Sequence, residues 1–125
     1  AATGRPRRVG GFDVVASKYG CMVQGADEIA LTKLDILDTM DRIPVCVSYD
    51  VNGVRVDEFP SGEALNIAKP NVVYLDGWKQ STANCRTFEE LPENAQKYIE
   101  YIEKAIDCKI KYISVGAERD AIIVR

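Results

Sequence analysis

Lys33 and Asp35 stand two residues apart, directly after the apolar run Ile29-Ala30-Leu31 and Thr32. If that run is a buried strand, both side chains lie at its carboxyl end, the edge where open α/β sheets bind ligands. A carboxylate there accepts two parallel hydrogen bonds from a flat pair of donors. Guanine presents such a pair in its ring N–H and exocyclic amine; adenine presents an amine beside an acceptor. A well-formed bidentate contact to a base edge discriminates by about 1–3 kcal/mol. The Lys33 stem can lie along the base, leaving its charge for phosphate or a ring oxygen. The plainer alternative is two solvated charges opening a short helix, and a lone Lys-x-Asp does not separate the two.

Ser114-Val115-Gly116 also follows an apolar-rich stretch, residues 109–113. Glycine exposes its backbone N–H and a serine hydroxyl donates or accepts, so this turn suits a carbonyl oxygen, which guanine has and adenine lacks. Asp35 would read the donor edge of the ring and the 114–116 turn its acceptor edge; the alternative is an ordinary strand-to-turn passage. A third stretch, Thr3-Gly4-Arg5-Pro6-Arg7-Arg8, joins a glycine that allows close backbone approach to arginine forks that suit carboxylate and phosphate. It reads either as an anion clamp or as a flexible basic terminus.

The chain of 125 residues contains no histidine, which removes the commonest general acid/base and the commonest metal ligand. It also lacks a glycine-rich phosphate loop followed by Lys and Ser/Thr. A chain so built has no parts for phosphoryl chemistry by itself, and no catalytic or metal-ligating residue is assigned. A net charge of −3 gives no general attraction to nucleic acid or an anionic membrane. No apolar stretch nears the ~20 residues of a membrane span, and no signal-peptide pattern opens the sequence. The cysteines Cys21, Cys46, Cys85 and Cys108 are scattered without a C-x-x-C pair; they read as buried free thiols of a cytoplasmic protein. The start, in a basic loop without methionine, leads to the expectation of a piece of a larger protein.

The elements that must position these residues follow from pattern. Asp13 caps a helix to about Gln24, with Val14, Val15, Tyr19, Met22 and Val23 as its apolar face and Gly25 as its stop. A strand over residues 28–31 precedes Lys33–Asp35 and a short helix over 36–40. Residues 45–49 and 54–59 flank Asn52-Gly53, a type I′ hairpin signal. A short helix from Pro60-Ser61 to about Ala68, a strand over 71–75 and Gly77-Trp78 come next. Thr87 with Glu90 forms a capping box, and Pro92 suits the first turn of a long helix. Ala95, Tyr98, Ile99, Ile102, Ala105 and Ile106 bury one face of that helix, while Glu100, Glu103 and Lys104 face water. A strand over 109–113, the Ser114 turn and a strand over 121–124 close the chain. The fold class is α/β, a mixed sheet with a β-hairpin and flanking helices.

Taken together and in order, Thr3–Arg8, Ala30–Asp35, Val56-Asp57-Glu58-Phe59-Pro60, Gly77-Trp78, Leu91–Ala95 and Ser114-Val115-Gly116 with Arg119-Asp120 resemble the C-terminal part of adenylosuccinate synthetase, across the whole 125 residues. The resemblance implies a segment of a larger, P-loop-NTPase-like fold. It implies an enzyme that joins IMP and L-aspartate using GTP and Mg2+, with the metal bound outside this stretch, and a homodimer. By resemblance, Lys33, Leu34 and Asp35 with Ser114, Val115 and Gly116 bind the guanine of GTP. Ala1, Ala2, Thr3, Gly4, Arg5, Pro6 and Arg7 form the aspartate loop, with Thr3 and Arg5 nearest its carboxylates. Arg5 also touches the IMP ribose, and Arg7 lies near GTP. Two positions depart from the family pattern: Ala2 replaces a Thr, and Gly11 replaces a Trp whose loss leaves a cavity. The family's catalytic Asp and His, phosphate loop and magnesium ligands fall outside this stretch. The alternatives are a stand-alone guanine-nucleotide-binding module without turnover and a structural domain with a vestigial site.

Overall fold

The computed structural model describes residues 3–125. A two-residue strand β1, Phe12–Asp13, leads into helix α1, Val14–Gln24. The Asp13 side chain accepts from the Ala16 N–H at 3.0 Å, and Gly25 ends the helix in the left-handed conformation, as expected of these cap residues. The expected apolar face is only half used. Val14 and Val15 are buried, but Met22 and Val23 are exposed, and Tyr19 stacks on Phe59 with ring centroids 5.0 Å apart. Periodicity identified the helix; which part of its apolar stripe is covered depends on what packs there.

Strand β2, Glu28–Leu31, is followed by a 3-10 turn over Leu34–Leu37 rather than a helix over 36–40. Strand β3, Arg42–Val51, is longer than the hairpin pattern implies, and β4, Val54–Val56, is shorter. Asn52 and Gly53 both take positive φ, as the type I′ turn requires. Helix α2 is confined to Glu63–Ile67, and strand β5 extends over Lys69–Asp76. The Thr87–Glu90 pair is present as a 3.0 Å side-chain hydrogen bond, but it closes a separate 3-10 turn over Phe88–Glu90. Helix α3, Glu93–Ile106, begins after Pro92. Strands β6, Lys109–Ser114, and β7, Ile122–Val124, complete the chain.

The strands form two sheets rather than one. In the first, β5 runs antiparallel along one edge of β3, while β1 (parallel) and β4 (antiparallel) share the other. In the second, β2 and β6 are parallel neighbours and β7 pairs antiparallel with β6. The face of α3 carrying Ala95, Tyr98, Ile99, Ile102 and Ile106 is buried in one continuous core with Ile43 and Val45 of the first sheet and Ile110, Ile113 and Ile123 of the second. Each such aliphatic side chain contributes about 1.5–3 kcal/mol by leaving water, so this helix holds the two sheets together.

Glu103 does not face water as its place in a charged run suggests. Its Oε2 accepts from the Ile110 N–H and from Arg125 Nη1, both at 2.7 Å. The start of β6 offers a backbone donor that helical periodicity cannot reveal. All four cysteines are free thiols; Cys46 and Cys108 are buried, Cys21 and Cys85 half-buried. Among the described residues, no helix is long and apolar enough to cross a membrane.

Candidate functional site

The two proposed reading turns emerge side by side. Leu31, the last residue of β2, is in register with Ile113 of β6, and the strands are parallel. Lys33–Asp35 and Ser114–Gly116 therefore leave the same end of adjacent strands, and the 3-10 turn packs against β6. Leu34 is 1 % exposed. It anchors the turn between two polar neighbours, so only its backbone is available to a ligand.

Lys33 is exposed and left-handed at φ 64°. A non-glycine residue there carries a local cost of about 1 kcal/mol or more, offset here by burial of Leu34. Asp35 is half-buried, and among the described residues its carboxylate accepts no hydrogen bond. On the neighbouring turn, the Val115 side chain is buried and its N–H donates to the Ala121 carbonyl at 2.9 Å. The Ser114 hydroxyl donates to the Gly116 carbonyl at 2.9 Å. That proton is engaged within the turn in this structure. A Cβ on Gly116 would press on the Ala121 methyl at 3.1 Å, so glycine suits this tight corner.

The 3-10 turn is tied at its far end. Asp38 accepts from the Trp78 indole N–H at 2.8 Å, the Thr82 N–H at 2.8 Å and the Thr82 hydroxyl at 2.9 Å. Thr82 is fully buried. Alongside, the Gly77 N–H donates to the Asp41 carbonyl at 2.9 Å, and Asn94 of α3 donates to the Gly77 carbonyl at 3.0 Å. A Cβ on Gly77 would collide with the Met40 carbonyl oxygen, which is why the chain has glycine where these segments meet. Asp35, Asp38, Lys79, Gln80 and Ser81 border a polar cleft of about 520 Å³. None of this clasp was read from the sequence. Its partners lie 40 and 44 residues apart, beyond any local pattern.

The residues Thr3, Gly4, Arg5, Pro6, Arg7 and Arg8 form an exposed, irregular segment, with Gly4 at φ 73°. Among the described residues, no carboxylate pairs with Arg5, Arg7 or Arg8. The assignments of Ala1 and Ala2 to the aspartate loop lie outside the described residues. The segment continues into Val9–Phe12, which faces Leu31–Lys33 across an apolar cleft of about 480 Å³. Gly11 lies on its wall, where the family pattern implied a lost aromatic. A Cβ at Gly11 would lie only 2.5 Å from the Pro44 carbonyl oxygen, so the backbone here leaves no room for a side chain. Tyr98 lines the same cleft, its phenol pushed up to about 12 by burial.

Among the described residues, no group of three or more His, Cys, Asp or Glu side chains could hold a metal ion.

Against known proteins, residues 1–123 match the family model described as adenylosuccinate synthetase. The chain is 46% identical over 122 residues to the adenylosuccinate synthetase of Bifidobacterium animalis subsp. lactis, covering 97% of this chain and 28% of that protein. It is 46% identical over 123 residues to that of Prochlorococcus marinus, with 98% and 28% covered. A structure of fully ligated adenylosuccinate synthetase from Plasmodium falciparum superposes with a TM-score of 0.92 at 36% identity, over 98% of this chain and 30% of that one. The chain thus spans under a third of the length of these relatives.

Proposed function

This chain belongs to the adenylosuccinate synthetase family, and from that membership we propose that it forms the guanine- and aspartate-binding part of a complete GTP-dependent synthetase. That enzyme joins IMP and L-aspartate to give adenylosuccinate, GDP and phosphate. The observation that carries the proposal is the register Leu31↔Ile113 between parallel β2 and β6, which brings the Lys33–Asp35 and Ser114–Gly116 turns to one sheet edge.

At that edge Asp35 accepts the ring N–H and exocyclic amine of guanine. The Lys33 stem lies along the base. With the Ser114 hydroxyl proton held by the Gly116 carbonyl, the remaining donor for the guanine oxygen is the backbone N–H of Gly116. An adenine would set its ring nitrogen lone pair against the Asp35 carboxylate, a mismatch of about 1–3 kcal/mol. Thr3, Gly4, Arg5 and Pro6 with Ala1 and Ala2 take the aspartate substrate; Arg5 also contacts IMP, and Arg7 bridges toward GTP. Arginine forks match both carboxylates of a dicarboxylic amino acid. Mg2+ is held by other parts of the enzyme, which acts as a cytoplasmic homodimer. This chain contributes binding and orientation and no catalytic residue, and alone it is inactive.

Asp35→Asn in the complete enzyme tests the reading, because it replaces an acceptor by a donor facing the base donors. The KM for GTP should rise about ten-fold or more, while the KM values for IMP and aspartate stay within about two-fold. A rise confined to aspartate would show the base assignment to be wrong. Calorimetry of this chain with GTP and ATP distinguishes a stand-alone binding module, which would take up GTP in an Asp35-dependent manner, from a segment that needs its parent.

A further inference from the structure

We infer that Asp38 is a positioning residue for the base-reading turn, holding Asp35 in register by clasping the loop Trp78–Thr82. It thereby sets the preference for guanine over hypoxanthine in the nucleotide. The inference rests on the reading of residues 33–35 given above.

A 3-10 turn of four residues is too short to hold its own shape. The backbone of this one is closed by long bonds: Ile36 N–H to the Lys33 carbonyl at 3.3 Å, and Asp38 N–H to the Asp35 carbonyl at 3.2 Å. It begins at a left-handed Lys33. Leu34 anchors one side in the core. On the other side the only side-chain tether among the described residues is Asp38, whose carboxylate receives three separate donors from Trp78 and Thr82. The loop it grips is itself fixed, with Trp78 buried against Tyr98 of α3 and Gly77 bonded to Asp41. Thr82 is fully buried. Its hydroxyl has no water to turn to, and losing the Asp38 acceptor strands a buried donor.

The geometry links this clasp to the ligand edge. Asp35 and Asp38 border the same polar cleft as Lys79, Gln80 and Ser81, and the Asp38 N–H is what closes the turn onto the Asp35 backbone. If Asp38 lets go, the turn rotates about Leu34 and the two Asp35 oxygens lose their common plane with the two guanine donors. Hypoxanthine has the ring N–H but no exocyclic amine, so it uses one of those oxygens and is less sensitive to their alignment. A misaligned carboxylate therefore weakens GTP more than ITP.

The test is kinetic, in the complete enzyme, with GTP and ITP as alternative substrates. Thr82→Val keeps the shape of the side chain and removes one donor to Asp38. It should raise the GTP KM about five-fold, the size of one hydrogen bond. It should also narrow the GTP-over-ITP ratio of kcat/KM, with the aspartate KM unchanged. Thr82→Ser should restore the ratio. Asp38→Asn replaces one acceptor oxygen by an amide donor facing the Trp78 and Thr82 donors and should act in the same direction more strongly; Thr82→Val carries the test should that variant fail to fold. If Asp35→Asn collapses the ratio while Thr82→Val and Asp38→Asn lower kcat/KM equally for both nucleotides, Asp38 is a structural tether only and the inference is overturned. If Asp35→Asn itself leaves the ratio unchanged, the guanine reading fails and the positioning role with it.

Discussion

Glu103 offers a direct measure of how α3 grips the second sheet. Its carboxylate bonds the Ile110 N–H and Arg125 Nη1, both at 2.7 Å. Arg125 Nη1 also donates to the Ile110 carbonyl at 3.0 Å, and its guanidinium lies 4.4 Å over the Phe88 ring. The Glu103 and Arg125 side chains are 24% and 20% exposed, so solvent screens the pair only in part. In Glu103→Ala the backbone donor of a fully buried residue loses its partner. A hydrogen bond to a charged acceptor contributes about 1.5–3 kcal/mol, and a partly exposed ion pair adds about 0.5–1 kcal/mol. The expected loss is therefore about 2–4 kcal/mol, equivalent to a fall in Tm of roughly 10 °C or more for a chain of this size. Glu103→Gln keeps an acceptor for Ile110 and should lose only about 1 kcal/mol. Urea denaturation of the two variants, with Arg125→Met in a double-mutant cycle, reads both numbers. A loss below about 0.5 kcal/mol for Glu103→Ala, the range of ordinary surface changes, would return Glu103 to the solvated face and refute the latch.

Gly77→Ala should destabilise by about 2–3 kcal/mol, because the new methyl group meets the Met40 carbonyl oxygen and the loop must shift; an unchanged urea midpoint would contradict the close approach. Burial pushes the Cys46 and Cys108 thiols up from their ordinary 9.0 and Tyr98 to about 12. The folded chain then keeps these protons longer than the unfolded one, so the associated stability is complete below pH 9.0 and lost as pH rises through the raised values. The urea midpoint should fall as pH rises from about 9 to about 12, and a midpoint that holds steady or rises would count against the burial. In the complete enzyme Arg5→Leu should raise the aspartate KM about ten-fold or more, the scale of a charge-assisted bond, with the GTP KM little changed. An unaltered aspartate KM and kcat would remove Arg5 from the clamp.

Local chemistry was enough to read much of this chain in advance. Asp13 and Gly25 bracket α1, Asn52-Gly53 turns the hairpin, and the isoleucine spacing of α3 names its buried face. These features depend on backbone preference and side-chain period, which neighbouring residues settle among themselves. The motifs at 3–8, 33–35 and 114–116 were legible for the same reason, as short runs of unusual composition. Tertiary structure alone decided that β2 lies parallel to β6 with Leu31 beside Ile113, because strand pairing joins segments some eighty positions apart. It also decided that Asp38 and Glu103, each an ordinary charge in a polar stretch, become anchors once Thr82 and Ile110 are buried next to them. Burial deprives a donor of water, and only the folded chain determines which carboxylate takes water's place.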